Sequence, residues 1–256
     1  TRDTTGPIAR SARDLVLLHE TVTGEVPPVL SNVAGKRIGL PVEYFWEIAV
    51  PDVVDLCRDA LQRLVSAGAV IVDIDPAEIV DLDRRSGATL SSFESRADLE
   101  AYLADFAPSI SFGDVMAGIA SPDVRDLLLP LLDPDGPFTR AAYTEALSIR
   151  SRLQAAYERL FVDNRLDAIA FPTCLMPAFR LDQAFIDLPY VGSQPVFPAM
   201  IHNTAPGSNA GLPGISLPVG LTGQGLPVGL ALDGARGGDA GLLALACAIE
   251  RLLVHS

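Results

Sequence analysis

The sequence predicts an α/β fold in which a mixed, largely parallel sheet is flanked by helices. The first observation behind this prediction is a pair of short apolar runs, RIGLPV at 37–42 and AVIVDI at 69–74. Between them, residues 51–67 carry apolar side chains at helical spacing, and Gly68 follows where a C-terminal cap belongs. A strand, a helix and a strand joined by short links favour a right-handed parallel crossover.

Two further patterns extend the predicted sheet. The long amphipathic stretch 139–163 leads into a buried apolar run, DAIAF at 167–171, which Pro172 ends. Nearer the C-terminus, residues 214–219 and 227–232 are predicted to be two strands joined by the turn TGQG. Strands and helices that alternate in this way indicate an α/β class.

Helices and loops account for the rest of the chain. Ser11, with Asp14 three residues later, is a capping-box pattern that predicts a short first helix, and 240–253 predicts a closing helix. Residues 86–133 are helical in pattern but contain three prolines that interrupt it. Residues 172–202 are rich in proline and lack a clear period, and a long irregular segment in a compact chain is often functional.

Composition excludes several classes of function. The formal net charge of −13 repels nucleic acid and anionic lipid, so neither is an expected partner. The three cysteines, Cys57, Cys174 and Cys247, are widely spaced and fit neither a disulfide framework nor a zinc site. No apolar run reaches the roughly 18 residues that a membrane span needs. We therefore expect a soluble protein of the cytoplasm.

Residues suited to hydrolytic chemistry are sparse. A nucleophilic hydrolase needs a serine or cysteine beside a base, and the GxSxG pattern of a nucleophile elbow does not occur in the sequence. Of the three histidines, we interpret His19 and His255 as structural or incidental. His202 stays open, because the irregular proline-rich segment leads into it.

Two other patterns favour structural interpretations. GARGGDAG at 234–241 follows a strand and opens a helix as a phosphate cradle would, but it lacks the GxGxxG spacing and any lysine. We interpret its glycines as the end of the strand and Asp239 as the cap of the last helix. Asp133 and Asp135 in LDPDGP indicate a turn, with metal ligation as a minor alternative. No metal and no cofactor are therefore expected.

Four separated blocks of the sequence resemble a known family. They are TRDTTGPIARSARDLVLL from Thr1, KRIGLPVEYF from Lys36, DAIAFPTCLMPA from Asp167 and NTAPGSNAGLPGISLPVGLTGQGLPVGLAL from Asn203. In this order they resemble the amidase signature family over nearly the whole chain, and within it they are most similar to the indoleacetamide and mandelamide hydrolase branch. The resemblance implies the amidase signature fold and hydrolysis of the carbon–nitrogen bond of an amide.

The resemblance also implies a mechanism whose residues this chain does not contain. Family members use a serine nucleophile, a second serine in a cis peptide and a lysine, and a neutral lysine shielded from water can act as a base. These residues belong upstream of the DTTGP pattern, whereas Lys36, the only lysine here, follows it. Residues 1–256 are therefore expected to be the C-terminal portion of a single amidase signature domain that is inactive alone. A fragment, a subunit of a split enzyme and a truncated gene product all fit, and a start within a motif favours the fragment.

By the same resemblance, the segment after the DAIAFPT strand approaches the active site. Its candidate pocket residues are Thr173, Cys174, Leu175 and Met176, with loop packing as the alternative interpretation. Cys174 departs from the small polar or apolar residue usual at its position, which leaves the shape of the pocket open.

Four more positions are assigned supporting roles. Asn203 and Asn209 orient a substrate carboxamide or hold their loop. Asp3 and Arg10 match the family's DxxGPxxR pattern, and we interpret them as a buried ion pair or backbone clamp behind the serine loop.

Apolar residues dominate the proline-rich segment 172–202, which favours an aromatic or otherwise hydrophobic amide as substrate. The expected partners are this small-molecule amide and the missing N-terminal part of the same enzyme, and a homodimer is also allowed. The alternative function is a non-catalytic scaffold or small-ligand-binding relative of the amidases. A dehydrogenase is the weakest alternative, because no dinucleotide fingerprint follows either early strand.

Overall fold

A five-stranded mixed sheet organises the computed structural model, which describes residues 1, 2, 4–133 and 136–254. The strand order is β2–β1–β3–β7–β6. The strands are β1 (Arg37–Leu40), β2 (Val70–Asp73), β3 (Ala168–Pro172), β6 (Gly214–Leu221) and β7 (Pro227–Asp233). β1 is parallel to β2 and β3, and β7 is antiparallel to β3 and β6. Four strands therefore run in one direction and β7 in the other, which confirms the predicted mixed, largely parallel sheet.

Helices flank this sheet, as the sequence predicts. They are α1 (Ala12–Thr23), α2 (Val42–Phe45), α3 (Pro51–Ser66), α4 (Ala77–Phe106), α5 (Phe112–Gly118), α6 (Pro122–Leu128), α7 (Arg140–Asn164), α8 (Val196–Ile201), α9 (Ala205–Ala210) and α10 (Asp239–Val254), with a 3₁₀ turn at Leu129–Leu132. α3 and α10 pack on β6 and β7, α1 packs on α10, and α4 and α7 pack on each other and on α9.

The ends of β1 and β3 are joined by the one lysine of the chain. The Asp167 carboxylate accepts hydrogen bonds from Nζ of Lys36 and from the backbone N–H of Arg37, both at 2.8 Å. Every residue of β3 is buried, including Phe171 at 1% exposure, so this strand runs through the centre of the core. Lys36 thus has a structural contact that fixes two neighbouring strands.

Two stretches differ from the sequence prediction. α4 is one continuous helix that begins at Ala77, earlier than the predicted start near 86, and the prolines at 108, 122 and 130 all lie beyond its end. The segment 172–202 is not irregular throughout, because it contains a hairpin of β4 (Phe185–Leu188) and β5 (Gly192–Pro195) followed by α8. This hairpin has no alternating apolar pattern: β5 reads GSQP, and Phe185 is 59% exposed.

The glycine-rich stretch 234–241 behaves as a strand-to-helix connection. The backbone N–H of Leu242 donates to the carbonyl of Gly238 at 3.0 Å, which makes Gly238 the residue that precedes the helix. Asp239 is the first residue of α10 and not its cap, so that interpretation is wrong by one position.

Candidate functional site

An open cleft of about 560 Å³ lies between α2, the first turns of α4, the β4–β5 hairpin and α8. We call it the α2–α8 cleft, and its lining includes Tyr44, Arg84, Leu175, Leu188, Ala199 and His202. Leu175 comes from the segment that follows β3, so the cleft meets the part of the chain that the sequence singles out as a pocket.

Two aromatic rings form one wall of the cleft. Tyr44 and His202 are stacked, with ring centroids 4.0 Å apart and planes inclined by 25°. Nε2 of His202 lies 3.2 Å from the Tyr44 carbonyl oxygen, and the Tyr44 hydroxyl donates to the His202 carbonyl at 3.5 Å. The guanidinium carbon of Arg84 lies 5.3 Å from the Tyr44 ring centroid, within the range of a cation–π contact.

Tyr44 is held in this wall by its neighbours in the chain. Phe45 is buried against Phe171, with centroids 4.9 Å apart, and Nε1 of Trp46 donates to the Ala170 carbonyl at 3.3 Å. With these two side chains fixed in the core, Tyr44 takes φ 71° and ψ −52°, the strained geometry of a γ-turn. Such strain persists only where the surroundings enforce it, and it is frequent at ligand sites.

Both rings are neutral near pH 7. Burial raises the pKa of Tyr44 to about 12, with the Asp83 carboxylate as a second cause. Burial lowers the pKa of His202, and this exceeds the opposing effect of the hydrogen bond to Tyr44. The wall therefore presents a phenol and an uncharged imidazole to the cleft.

The four predicted pocket residues occupy different environments. Leu175 is fully buried, lines the cleft and accepts a hydrogen bond on its carbonyl from the Val50 N–H at 2.8 Å. Met176 is also buried, at 4% exposure. Thr173 forms a hydroxyl pair with Ser216 at 2.6 Å, and its N–H donates to the Gly229 carbonyl at 2.9 Å.

The Cys174 side chain is poorly suited to act as a nucleophile. It is a free, partly buried thiol, and burial raises its pKa. Because the thiolate is the reactive form, a raised pKa keeps the group inert at neutral pH.

Asn203 connects α2 to the end of β3 by hydrogen bonds. It is fully buried, and its Nδ2 donates to the carbonyls of Phe45 at 2.9 Å and Pro172 at 2.7 Å. Its Oδ1 is buried without a hydrogen-bond partner among the described residues. Of the two predicted roles, these contacts fit holding of the loop, because both donor hydrogens are used within the protein.

Asn209 belongs to a buried polar cluster between α9 and α4. Its Nδ2 donates to Asp83 Oδ1 at 2.8 Å and to Ser86 Oγ at 2.9 Å, and its backbone carbonyl accepts from Nε of Arg150 at 2.8 Å. Burial raises the pKa of Asp83. Asn209 therefore connects three helices, and its contacts again fit a holding role.

The predicted clamp of Asp3 and Arg10 stays a prediction. Arg10 is exposed, and its expected partner Asp3 lies outside the described residues. Arg2, the residue before Asp3, is half-buried and donates to the carbonyls of Gly87 at 2.9 Å and Ala205 at 3.2 Å. Arg2 precedes the DxxGPxxR pattern, so the pattern gives no signal for these contacts.

The described ranges contain neither a metal-binding cluster nor a membrane-spanning helix. No group of three or more His, Cys, Asp or Glu side chains there could hold a metal ion. Asp135 and His255 lie outside the described residues. Over the same ranges, none of the helices has the length and apolar character required to cross a membrane.

Comparison with known protein sequences relates this chain to amide hydrolases. The chain is 38% identical over 255 residues to the indoleacetamide hydrolase of Agrobacterium vitis, covering 99% of this chain and 54% of that protein. It is 39% identical over 263 residues to the mandelamide hydrolase of Pseudomonas putida, covering 99% of this chain and 50% of that protein. The chain thus spans about half the length of these relatives.

Comparison with solved structures and with family models gives the same relationship. A crystal structure of an amidase superposes with a TM-score of 0.78 at 26% identity, covering 97% of this chain and 52% of that chain. The family model described as Amidase matches residues 1–243. Since this match includes nearly the whole chain and the fold agrees, the chain belongs to the amidase family.

Proposed function

We propose that the protein containing this chain hydrolyses the carbon–nitrogen bond of a hydrophobic or aryl amide to an acid and ammonia. The observation that carries the proposal is the α2–α8 cleft, in which Leu175, Leu188 and Ala199 supply apolar surface and Tyr44 and His202 supply an aromatic wall. Apolar and aromatic surface within a cleft is typical of sites that hold hydrophobic small molecules. The names of the two relatives, hydrolases of indoleacetamide and mandelamide, support an aryl amide for this chain as well.

The charges around the cleft favour a neutral substrate. Glu43, Glu47 and Asp81 line it together with one arginine, Arg84, and the whole chain carries a formal charge of −13. A carboxylate is repelled by such a surface, whereas an uncharged amide is not. Hydrolysis converts the neutral amide into an anionic acid, so the same field favours release of the product.

We further propose that the nucleophile and base come from outside residues 1–256, which form the C-terminal portion of a single amidase signature domain. A serine hydroxyl attacks the amide carbonyl while a neutral lysine, acting through a second serine, removes its proton and passes it to the leaving ammonia. Water then hydrolyses the acyl-serine. The raised pKa of Cys174 supports this division, since its thiol is poorly suited to replace the serine.

The proposed partners are the amide and the remaining part of the same enzyme, with a homodimer as a further association. We also propose a cytoplasmic location. Cys57, Cys174 and Cys247 are free thiols, which suits a reducing compartment.

The test is ammonia release by the complete encoded protein and by residues 1–256 alone, each with phenylacetamide and with malonamide. We expect the complete protein to prefer phenylacetamide by about tenfold or more in kcat/KM, and residues 1–256 alone to release no ammonia. Equal turnover of the two amides contradicts the hydrophobic preference. A complete protein that binds aryl amides without hydrolysing any contradicts hydrolysis and supports the ligand-binding alternative.

A further inference from the structure

His202 is locked in one tautomer by the wall it belongs to. Its Nε2 faces the carbonyl oxygen of Tyr44 at 3.2 Å, and a carbonyl oxygen can only accept a hydrogen bond. Nε2 of the neutral ring must therefore carry the hydrogen, which leaves Nδ1 as an unprotonated acceptor. Within the described part of the chain, no hydrogen bond engages Nδ1, and the ring lines the α2–α8 cleft.

The surroundings keep the ring neutral. Tyr44 of α2 covers one face and supplies the carbonyl that fixes Nε2. Arg84 of α4 stands beyond the Tyr44 ring and disfavours a second positive charge at His202, in the same direction as burial. The carboxylates that line the same cleft are Glu43, Glu47 and Asp81.

We propose that His202 is a specificity-determining residue whose Nδ1 accepts a hydrogen bond from a donor on the non-reacting part of an aryl amide, such as a benzylic hydroxyl or a ring N–H. This inference rests on the proposed function and extends it by naming the chemical group that the cleft selects. The stacked rings orient the acceptor, since Tyr44 and Asn203, the residue after His202, are both fixed by contacts to the core.

The size of the selection follows from the exposure of the site. His202 is partly buried, so a ligand without the donor leaves its acceptor in contact with some water and not fully desolvated. A net hydrogen bond in such a setting is worth a factor of about three to ten in affinity.

The first test reads His202 directly and does not depend on hydrolysis. The complete protein is labelled with ¹⁵N-histidine, and the ring nitrogens are observed by NMR, with assignment from His202→Phe. The ligands are 1-hydroxy-1-phenylpropan-2-one and phenylpropan-2-one, ketones in which a methyl group replaces the amide nitrogen and no amide bond can be cleaved. We expect the Nε2–H tautomer in the free protein and an Nδ1 shift with the hydroxylated ketone alone.

The second test is a comparison of variants. In the wild-type protein the hydroxyketone should bind about three to ten times more tightly than the plain ketone. His202→Phe keeps a ring against Tyr44 but removes the acceptor, so this ratio should fall to about one. His19→Gln, on α1 and away from the cleft, is the matched control and should leave the ratio unchanged.

An Nδ1–H tautomer in the free protein overturns the proposal, and so does a ratio that survives in His202→Phe. The tautomer is read in the wild-type protein, and His202→Gln supplies the assignment where His202→Phe does not fold. If the ketones behave as expected but no amide is hydrolysed, the proposed function fails and the role of His202 in ligand selection stands. If amides are hydrolysed but the Nδ1 signal does not shift with the hydroxylated ketone, the proposed function stands and the role of His202 in ligand selection fails.

Discussion

The carboxyl group of Asp233 packs directly against the backbone of Gly207. Asp233 is the last residue of β7 and Gly207 lies in α9, and a Cβ added to Gly207 would overlap Oδ2 and lie 3.1 Å from Cγ of Asp233. The Cβ position of Gly214, on the adjacent strand, is only 2.9 Å from Oδ1. Two glycines thus provide the space that this side chain occupies.

This packing predicts that Gly207→Ala destabilises the protein. The added methyl group has no room beside the carboxyl, and overpacking of this kind costs about 1–3 kcal/mol of the free energy of unfolding, measured with urea. Gly241→Ala on α10 is the control, because nothing lies within 4 Å of its Cβ position. Asp233→Ala introduced into Gly207→Ala should restore stability, and failure of that rescue would show that the overlap is not the cause.

Asp233 also predicts a pH dependence of stability. Burial raises its pKa from 3.8 to about 7. Between these values the folded state keeps the proton that the unfolded state has lost, so the free energy of unfolding falls as pH rises and reaches its lower level above about pH 7.

Asp233→Asn should therefore be more stable than the wild type at pH 8, by an amount of up to about 4 kcal/mol, and should show no such gain near pH 4. Urea unfolding at the two pH values measures it. Asp59→Asn, at an exposed position of α3, is the control, and its difference from the wild type in free energy of unfolding should be the same at pH 4 and pH 8. A gain for Asp233→Asn that is equal at pH 4 and pH 8 would contradict the raised pKa.

The parts of the fold that the sequence predicted are those with local, repeated patterns. The β1–α3–β2 unit, the fully buried β3 and the β6–β7 pair all have continuous apolar runs or helical spacing, bounded by glycine or proline. The β4–β5 hairpin was missed because its strands lie mostly at the surface, so no apolar alternation marks them.

The site was harder to predict because it joins distant residues. Tyr44 and His202 are 158 positions apart, and Tyr44 was visible in the sequence only as part of the KRIGLPVEYF block. The proline-rich segment made His202 a candidate, but only the stack shows which of its nitrogens is engaged. The contacts of Arg2 could not be predicted, because the burial of an arginine depends on packing that a motif does not encode.

Asn203 predicts a large loss of stability on substitution. Asn203→Ala leaves the buried carbonyls of Phe45 and Pro172 without their donor, which should cost about 2–4 kcal/mol in urea unfolding. Asn203→Asp keeps the shape but replaces the donor by an acceptor facing two carbonyls, so it should be at least as damaging. Asn32→Asp, at an exposed position, is the control. An Asn203→Asp protein as stable as the wild type would mean that these two hydrogen bonds contribute little.

His202 predicts a pH dependence opposite in sign to that of Asp233. Its folded pKa lies below the ordinary value of 6.5, so in the window beneath pH 6.5 the unfolded state binds the proton more readily, and stability falls as pH falls. The Asp233 effect runs the other way over part of the same range, so the wild-type curve alone does not separate them. In an Asp233→Asn background, the stability of His202→Phe relative to its parent should increase on going from pH 7 to pH 5.

Protonation also turns Nδ1 of His202 from an acceptor into a donor, so the tighter binding of 1-hydroxy-1-phenylpropan-2-one over phenylpropan-2-one should weaken across the same window. A preference that is constant from pH 7 to pH 5 while the stability difference changes would mean that His202 titrates without contacting the ligand.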